Sequence, residues 1–251
     1  DLQNPPPYSH PSLTSTRRAV CSAHAQLMPI GPLAAPLRLF LLSAIMSASS
    51  GHRILCLHGS GGSGDAFLAR LAHLQEGTAR SFHAIDAPSG RRTWWTYSAG
   101  ERSFTASSYE GAEQSIAAVE AELESGGYVG LLGFSQGAML AAIVAARASL
   151  RESCPLLRFA VICAAAVPKP YEPLLERLRA APEAAAALPT LHCLSEVDSI
   201  NPPELGEAVA ACFTNPASAT LWHGGGHDVP PPRLAAEVLA WMDKAVVADA
   251  R

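Results

Sequence analysis

Charged residues are scarce in this sequence of 251 residues. They make up 16% of it, whereas hydrophobic residues make up 49%. A disordered chain is polar and strongly charged, so this balance excludes that class and predicts a sizeable buried core. The formal net charge is −4. Because nucleic-acid-binding proteins usually carry a basic excess, we expect no nucleic acid among the partners.

Patterns typical of metal centres and membrane spans are also missing. None of the six cysteines forms a C-x-x-C pair, and the histidines show no metal-ligand spacing, so we expect no metal site. The apolar run at 37–45 is too short for a membrane helix, which needs about 20 residues. Cys56, Cys163 and Cys193 lie in apolar, strand-like runs. This favours buried free thiols in a reducing compartment over disulfides.

The first 50 residues differ from the rest in composition. They are rich in proline and serine and contain no acidic residue after Asp1. Two interpretations stay open: a disordered leader before a true start at Met46, or an organellar transit peptide. We therefore expect a leader at 1–50, one folded domain at 51–251, and a cytoplasmic protein, or an organellar one if residues 1–45 are a transit peptide.

From residue 52 onward, strand-like runs alternate with helical patterns. Strands are predicted at 53–58, 82–86, 128–134, 157–164, 190–195 and 219–223, and helices at 65–75, 109–124, 136–147, 171–180, 203–212 and 232–246. This alternation predicts an α/β fold with a doubly wound, mostly parallel sheet and helices on both faces. The length of the folded part leaves no room for a separate cap domain.

One motif points to nucleophilic catalysis. Residues 133–137 read G-F-S-Q-G, directly after a predicted strand and at the start of a helix. This G-x-S-x-G arrangement is typical of a nucleophile elbow, in which Ser135 projects from a sharp turn. The helix that follows offers free N–H groups to a developing oxyanion. An ordinary glycine-rich turn is the alternative interpretation.

A serine needs a base to remove its proton, and the sequence offers one. Asp198 follows the strand at 190–195, and His227 lies in a glycine-rich loop after the strand at 219–223. The order Ser135, Asp198, His227 is that of an α/β-hydrolase triad. Glu196 is the alternative acid and His223 the alternative base.

A second motif favours a different chemistry. Gly59, Gly61 and Gly64 form G-x-G-x-x-G between a strand and a helix, and Asp86 ends the next strand. This is the layout of a dinucleotide-binding fingerprint, which would indicate a nicotinamide-dependent reductase. That interpretation leaves the Ser135 elbow and the His227 loop unexplained. A non-catalytic hydrolase-fold protein that binds a ligand is a third alternative.

Together these residues resemble the FSH-type serine hydrolase family, over about residues 52–245. The similarity rests on L-H-G at 57–59, R-T-W-W at 92–95, G-F-S-Q-G-A at 133–138 and G-G-H-D-V-P at 225–230. It implies an α/β-hydrolase core with esterase or thioesterase activity, a small-molecule ester or thioester substrate, and no cofactor. Ser195 departs from the pattern, because the family usually has glycine there.

The remaining site residues are predicted from their positions. The backbone N–H groups of Ser60 and Gln136 are expected to form the oxyanion hole, since Gln136 follows the nucleophile and Ser60 follows the first strand. The loop at 89–108 is expected to bind substrate through an apolar acyl pocket lined by Trp94, Trp95, Tyr97 and Phe104. The alternative is that Trp94 and Trp95 are packing anchors of the loop.

Overall fold

In the computed structural model, the described residues are 52–88, 90, 92–154 and 156–248. They all fall in one compact unit. The leader predicted at residues 1–50 lies outside the described residues, as does Cys21.

One six-stranded sheet organises these residues. Its strands are β1 (Arg53–Leu57), β2 (Ser81–Ile85), β3 (Tyr128–Phe134), β4 (Phe159–Cys163), β5 (Thr190–Ser195) and β6 (Ala219–His223). The spatial order is β2-β1-β3-β4-β5-β6, and every neighbouring pair is parallel. The carboxyl ends of all six strands therefore meet at one edge. The order reverses around β1 and β3, the kind of position at which open α/β sheets bind ligands.

Helices cover both faces of the sheet. They are α1 (Gly64–Arg70), α2 (Ala72–Gln75), α3 (Ala112–Gly126), α4 (Gln136–Ser149), α5 (Glu172–Arg179), α6 (Pro182–Ala185), α7 (Pro203–Ala210) and α8 (Ala235–Ala248), with 3₁₀ turns at Lys169–Tyr171 and Pro232–Leu234. Helices α3 to α7 contribute to the core on one face, and α1, α2 and α8 contribute to the core on the other. This confirms the predicted α/β fold.

The strands alternate between the two cores. In β1, Leu55 and Leu57 pack in one core and Ile54 and Cys56 in the other, and all four are fully buried. A strand that is buried on both sides must be apolar at every position, and this accounts for the low proportion of charged residues in the chain.

Helix α4 lies in the middle of one face. Every residue from Gln136 to Ala146 is buried, and the helix contacts β3 and β4 on one side and α3 and α5 on the other. A helix enclosed in this way needs no polar face. Its many alanines allow close approach to the sheet, so the helix holds its own N-terminus, and with it Ser135, in a fixed place.

Candidate active site

Ser135 occupies a strained turn between β3 and α4. Its backbone has φ 54° and ψ −117°, and its N–H donates to the carbonyl of Cys163 at 2.9 Å. A positive φ is unfavourable for a residue with a side chain and persists only where the surroundings enforce it. The hydrogen bond to β4 and the burial of α4 enforce it here.

The glycines on either side of Ser135 make the turn sterically possible. A Cβ at Gly133 would lie 2.3 Å from the carbonyl oxygen of Gly137. A Cβ at Gly137 would lie 2.3 Å from the carbonyl oxygen of Leu57. These neighbours are backbone atoms that cannot rotate away, so this turn requires glycine at both positions.

The structure joins Ser135, His227 and Asp198 in one line of hydrogen bonds. The Oγ of Ser135 lies 2.8 Å from Nε2 of His227, and Nδ1 of His227 lies 2.8 Å from Oδ2 of Asp198. In a neutral imidazole that donates from Nδ1, Nε2 is free to accept the serine proton. The side chain of His227 is 17% exposed and that of Asp198 only 2%, so the acid is buried and the base is reachable.

Asp198 is held by the loop that carries it. Its other carboxylate oxygen, Oδ1, accepts the N–H groups of Ile200 and Asn201, both at 2.9 Å. The amide of Asn201 in turn donates to the carbonyl of Ala164 at 2.8 Å. These bonds orient the carboxylate so that Oδ2 faces His227.

The two alternative triad members lie elsewhere. Glu196 is exposed to solvent. His223 is buried at the end of β6, where its Nδ1 accepts the N–H of Gly225 at 3.1 Å. Burial lowers the pKa of His223 below its usual value. The structure therefore brings neither residue into the hydrogen-bonded line.

The predicted oxyanion donors flank the nucleophile. Gln136 begins α4 directly after Ser135, and a Cβ built on Gly59 would lie 3.3 Å from Cβ of Ser135, which places the Gly59–Ser60 segment beside the serine. Within the described ranges, the backbone N–H groups of Ser60 and Gln136 have no acceptor. Both groups are thus available to an oxygen atom at this point.

A crevice opens beside this segment. Its volume is about 130 Å³, and its lining includes Ser60, Ser63, Phe67, Arg70 and Phe134. Phe134, the residue directly before Ser135, borders this crevice.

The aromatic loop requires a correction. Trp94 and Trp95 are 0% and 2% exposed and belong to the core on the α4 face, so their rings offer a substrate no surface. The packing alternative describes them, because Trp94 stacks on His58 and Trp95 stacks on Tyr109. Tyr97 is 37% exposed and Phe104 is partly buried, so contact of these two with substrate stays a prediction.

The amides of the glycine loop form hydrogen bonds within the protein. The N–H of Gly61 donates to the carbonyl of Arg92 at 2.7 Å, that of Gly62 to Gly59 at 3.0 Å, and that of Gly64 to Asp86 Oδ1 at 2.7 Å. These amides and the Asp86 carboxylate are the groups that a dinucleotide would need.

Sequence reasoning missed several residues that hold the His227 loop. The Oγ of Ser195 accepts the N–H of Gly226 at 3.0 Å and so ties the His227 loop to the end of β5. From α1, the guanidinium of Arg70 pairs with Asp228 at 2.6 Å and lies 4.4 Å from the ring centroid of Phe134. The contact between Ser195 and Gly226 had a signal in the sequence, because Ser195 departs from the family pattern. No local pattern links Arg70 to Asp228.

The other expectations concern metals, membranes and thiols. Within the described ranges no group of three or more His, Cys, Asp or Glu residues is arranged to hold a metal ion. No helix in that part of the chain is long and apolar enough to cross a membrane. The five cysteines there are all free and buried, as the sequence predicts. Burial raises the pKa of the Cys154 thiol to about 11.

Comparison with known proteins agrees with this geometry. Residues 46–237 match the model of the serine hydrolase (FSH1) family. The esterase CG5412 of Drosophila melanogaster is 30% identical over 71% of this chain and 68% of its own length, and the esterase OVCA2 of Danio rerio is 29% identical over 71% and 90%. Acyl-protein thioesterase 2 of Zea mays shares the fold, with a TM-score of 0.60 and 22% identity over 78% of this chain and 94% of that one. The chain belongs to the FSH1 serine hydrolase family and is an ester-hydrolysing enzyme of the α/β-hydrolase fold.

Proposed function

We propose that this enzyme cleaves carboxylic esters, or thioesters, through a Ser135–His227–Asp198 triad and an acyl-enzyme intermediate. The observation that carries the proposal is the pair of 2.8 Å hydrogen bonds that joins the three side chains. A serine alone is a weak nucleophile, and a neutral imidazole at this distance activates it.

In the first half of the reaction, Ser135 Oγ attacks the carbonyl carbon while His227 Nε2 takes the hydroxyl proton. The carbonyl oxygen becomes an oxyanion, which the N–H groups of Ser60 and Gln136 stabilise. His227 then gives its proton to the leaving alcohol or thiol as the bond to the carbonyl carbon breaks. Asp198 orients the imidazole and stabilises its protonated form.

In the second half, water takes the place of the leaving group. His227 removes a proton from the water, which attacks the carbonyl carbon of the acyl-enzyme. The intermediate collapses, the proton returns to Ser135 Oγ, and the carboxylic acid departs. The same two N–H groups stabilise the second oxyanion, so one arrangement serves both steps.

Labelling with a fluorophosphonate probe tests the nucleophile without knowledge of the natural substrate. We expect the wild-type enzyme to be labelled at Ser135, and Ser135→Ala to lose both labelling and hydrolysis of p-nitrophenyl esters. Ser98→Ala, a change at an exposed serine of the loop, is the matched control and keeps both. Full esterase activity in Ser135→Ala would refute the assignment.

The substrate class follows from a second measurement. A series of p-nitrophenyl esters of increasing acyl length, run beside the matching thioesters, measures both preferences. If Tyr97 and Phe104 line an apolar acyl site, kcat/KM rises as the acyl chain lengthens beyond two carbons. A steady fall from the two-carbon ester upward would contradict that role.

A further inference from the structure

The side chain of Gln136 makes two hydrogen bonds that the proposed reaction does not use. Its Oε1 accepts the N–H of Trp94 at 2.9 Å, and its Nε2 donates to the carbonyl of Trp95 at 2.9 Å. Gln136 is only 4% exposed. Both polar atoms of this buried amide are hydrogen-bonded to the backbone of adjacent residues. The side chain therefore fixes the backbone at Trp94 and Trp95 to the start of α4.

The segment that Gln136 holds reaches onward to the oxyanion loop. The indole Nε1 of Trp94 donates to the carbonyl of His58 at 2.7 Å, and the two rings stack with centroids 4.9 Å apart. The carbonyl of Arg92 accepts the N–H of Gly61 at 2.7 Å. The Nε of Arg92 donates to the carbonyl of Gly62 at 3.0 Å. Ser60 lies in the middle of the residues held in this way.

Helix α3 also holds the segment 92–95. The hydroxyl of Ser115, on α3, donates to the carbonyl of Trp94. The imidazole of His58 is itself held at both nitrogens, by the carbonyl of Gly59 at 2.8 Å and the N–H of Ala87 at 3.3 Å. These contacts leave the segment little freedom to move independently of α4.

We infer that the Gln136 side chain is a positioning residue that sets the distance between the two oxyanion donors. Its own backbone N–H is one donor, and its side chain holds, through residues 92–95, the loop that presents the N–H of Ser60. The inference rests on the proposed oxyanion hole. Preorganised donors accelerate a reaction only when they are aimed at the place where charge develops, so a small displacement of Ser60 reduces the rate.

Gln136→Met removes both hydrogen bonds and keeps the length of the side chain. We expect kcat/KM for p-nitrophenyl esters to fall about 10- to 100-fold, less than or near the effect of deleting a whole oxyanion donor. An aryl trifluoromethyl ketone supplies the specific readout. Ser135 Oγ adds to the carbonyl carbon of this ketone, His227 Nε2 takes the hydroxyl proton, and the carbonyl oxygen becomes an oxyanion. The affinity of Gln136→Met for this ketone should fall by the same factor as kcat/KM.

Gln136→Glu separates positioning from packing. The ionised carboxylate still accepts the Trp94 N–H but cannot donate to the Trp95 carbonyl, whereas the protonated carboxyl can do both. Burial favours the protonated form. The activity of Gln136→Glu, expressed as a fraction of wild-type activity at the same pH, should therefore rise as the pH falls from about 8 to about 6.

Two further variants complete the test. Trp94→Phe keeps the stacked ring but loses the bond to the His58 carbonyl, so it should lower kcat/KM and ketone affinity together even if Gln136→Met does not fold. Thr96→Val, which loses only the exposed bond to Glu110 at 3.1 Å farther along the loop, is the matched control and should change neither.

The outcomes separate this inference from the proposed function. If the wild-type enzyme is not labelled at Ser135, the proposed function fails first. If it is labelled, and folded Gln136→Met keeps kcat/KM and ketone affinity within about twofold of wild type, the positioning role is wrong. A loss of activity with unchanged ketone affinity, or a loss of activity in Gln136→Glu by a factor that does not depend on pH, also overturns it.

Discussion

At the scale of single residues, the site depends on which carboxylate faces His227. Asp198 and Glu196 are two positions apart in the same loop, and the sequence predicts Asp198 as the acid with Glu196 as the alternative. The structure separates them physically: the Asp198 carboxylate accepts two backbone N–H groups and His227 Nδ1, while Glu196 is exposed. A side chain that the loop itself orients is suited to hold an imidazole in one tautomer.

Asp198→Asn therefore has a specific expected effect. The amide keeps the shape of the side chain but can donate to His227 Nδ1, which favours the tautomer that cannot accept the serine proton. We expect kcat for p-nitrophenyl esters to fall about 10³- to 10⁴-fold with little change in melting temperature. Glu196→Gln is the matched control and should keep its activity. The opposite ranking of the two variants would move the acid to Glu196.

At the residue scale the sequence predicted the three side chains of the hydrogen-bonded line, but it left open whether Trp94 and Trp95 bind substrate or anchor the loop. Aromatic residues in a loop near a site can line a pocket or anchor the loop, and both uses show the same local pattern. The hydrogen bonds of Gln136 and the stacking of Trp94 on His58 decide the outcome, and these contacts join segments about 40 residues apart in the chain.

At the scale of elements, strands were predicted more accurately than helix ends. The predicted bounds of β3, β5 and β6 match the structure. These runs are short, apolar and bounded by glycine, proline or polar residues, so their pattern is local.

Helix boundaries failed where the tertiary structure intervenes. The predicted helix 65–75 is broken at Leu71, but its apolar residues still share one core, so periodicity does not reveal the break. The predicted helix at 109–124 begins at Ala112, because Glu110 pairs with Thr96 in an antiparallel bridge and Gly111 has φ 86°.

Strand β5 contains a buried titratable group. His192 is 2% exposed, and burial lowers its pKa from the ordinary 6.5 to about 3. Between those pH values the unfolded chain binds a proton that the folded protein does not bind. Because of His192, the free energy of unfolding therefore decreases as the pH falls below about 6.5.

His192→Leu should flatten the acid side of the stability profile. Each pH unit between about 6 and 4 removes up to about 1.4 kcal/mol from the wild-type free energy of unfolding through this group. Urea denaturation at several pH values measures the slope, which we expect to be smaller by that amount in the variant. His52→Leu, a change at an exposed histidine, is the control. Equal slopes in His192→Leu and wild type would contradict the prediction.

At the scale of the whole molecule, the parallel sheet explains why the site could be predicted at all. Ser135, Asp198 and His227 each follow the carboxyl end of a strand, and a parallel sheet brings all such ends to one edge. Three strand-end residues in the right chain order were therefore expected to meet. The contacts of Ser195 and Arg70, which hold the His227 loop, depend on how distant loops pack, and no periodic pattern encodes them.

The same packing leads us to expect that nicotinamide nucleotides do not bind. The glycine-loop amides and Asp86 already bond within the protein, so we expect no change in melting temperature with millimolar NADH or NADPH. A nucleotide present at about 100 times its Kd would add about 2.7 kcal/mol and raise the melting temperature by several degrees. A nicotinamide-dependent dehydrogenase serves as the positive control. A clear upward shift would return the reductase interpretation to consideration.

The position of His227 late in the sequence also bears on when the proposed triad can form during synthesis. The base lies 92 residues after Ser135 and follows β6, an edge strand of the sheet and the last one along the described chain. During synthesis Ser135, the proposed nucleophile, is therefore added to the chain well before Asp198 and His227, which are proposed to activate it. A chain that ends after β4 contains Ser135 and the Cys163 carbonyl that holds its turn, but it lacks His227, the proposed base. On the proposed mechanism such a chain should not hydrolyse p-nitrophenyl esters, and activity should require the residues that follow β6.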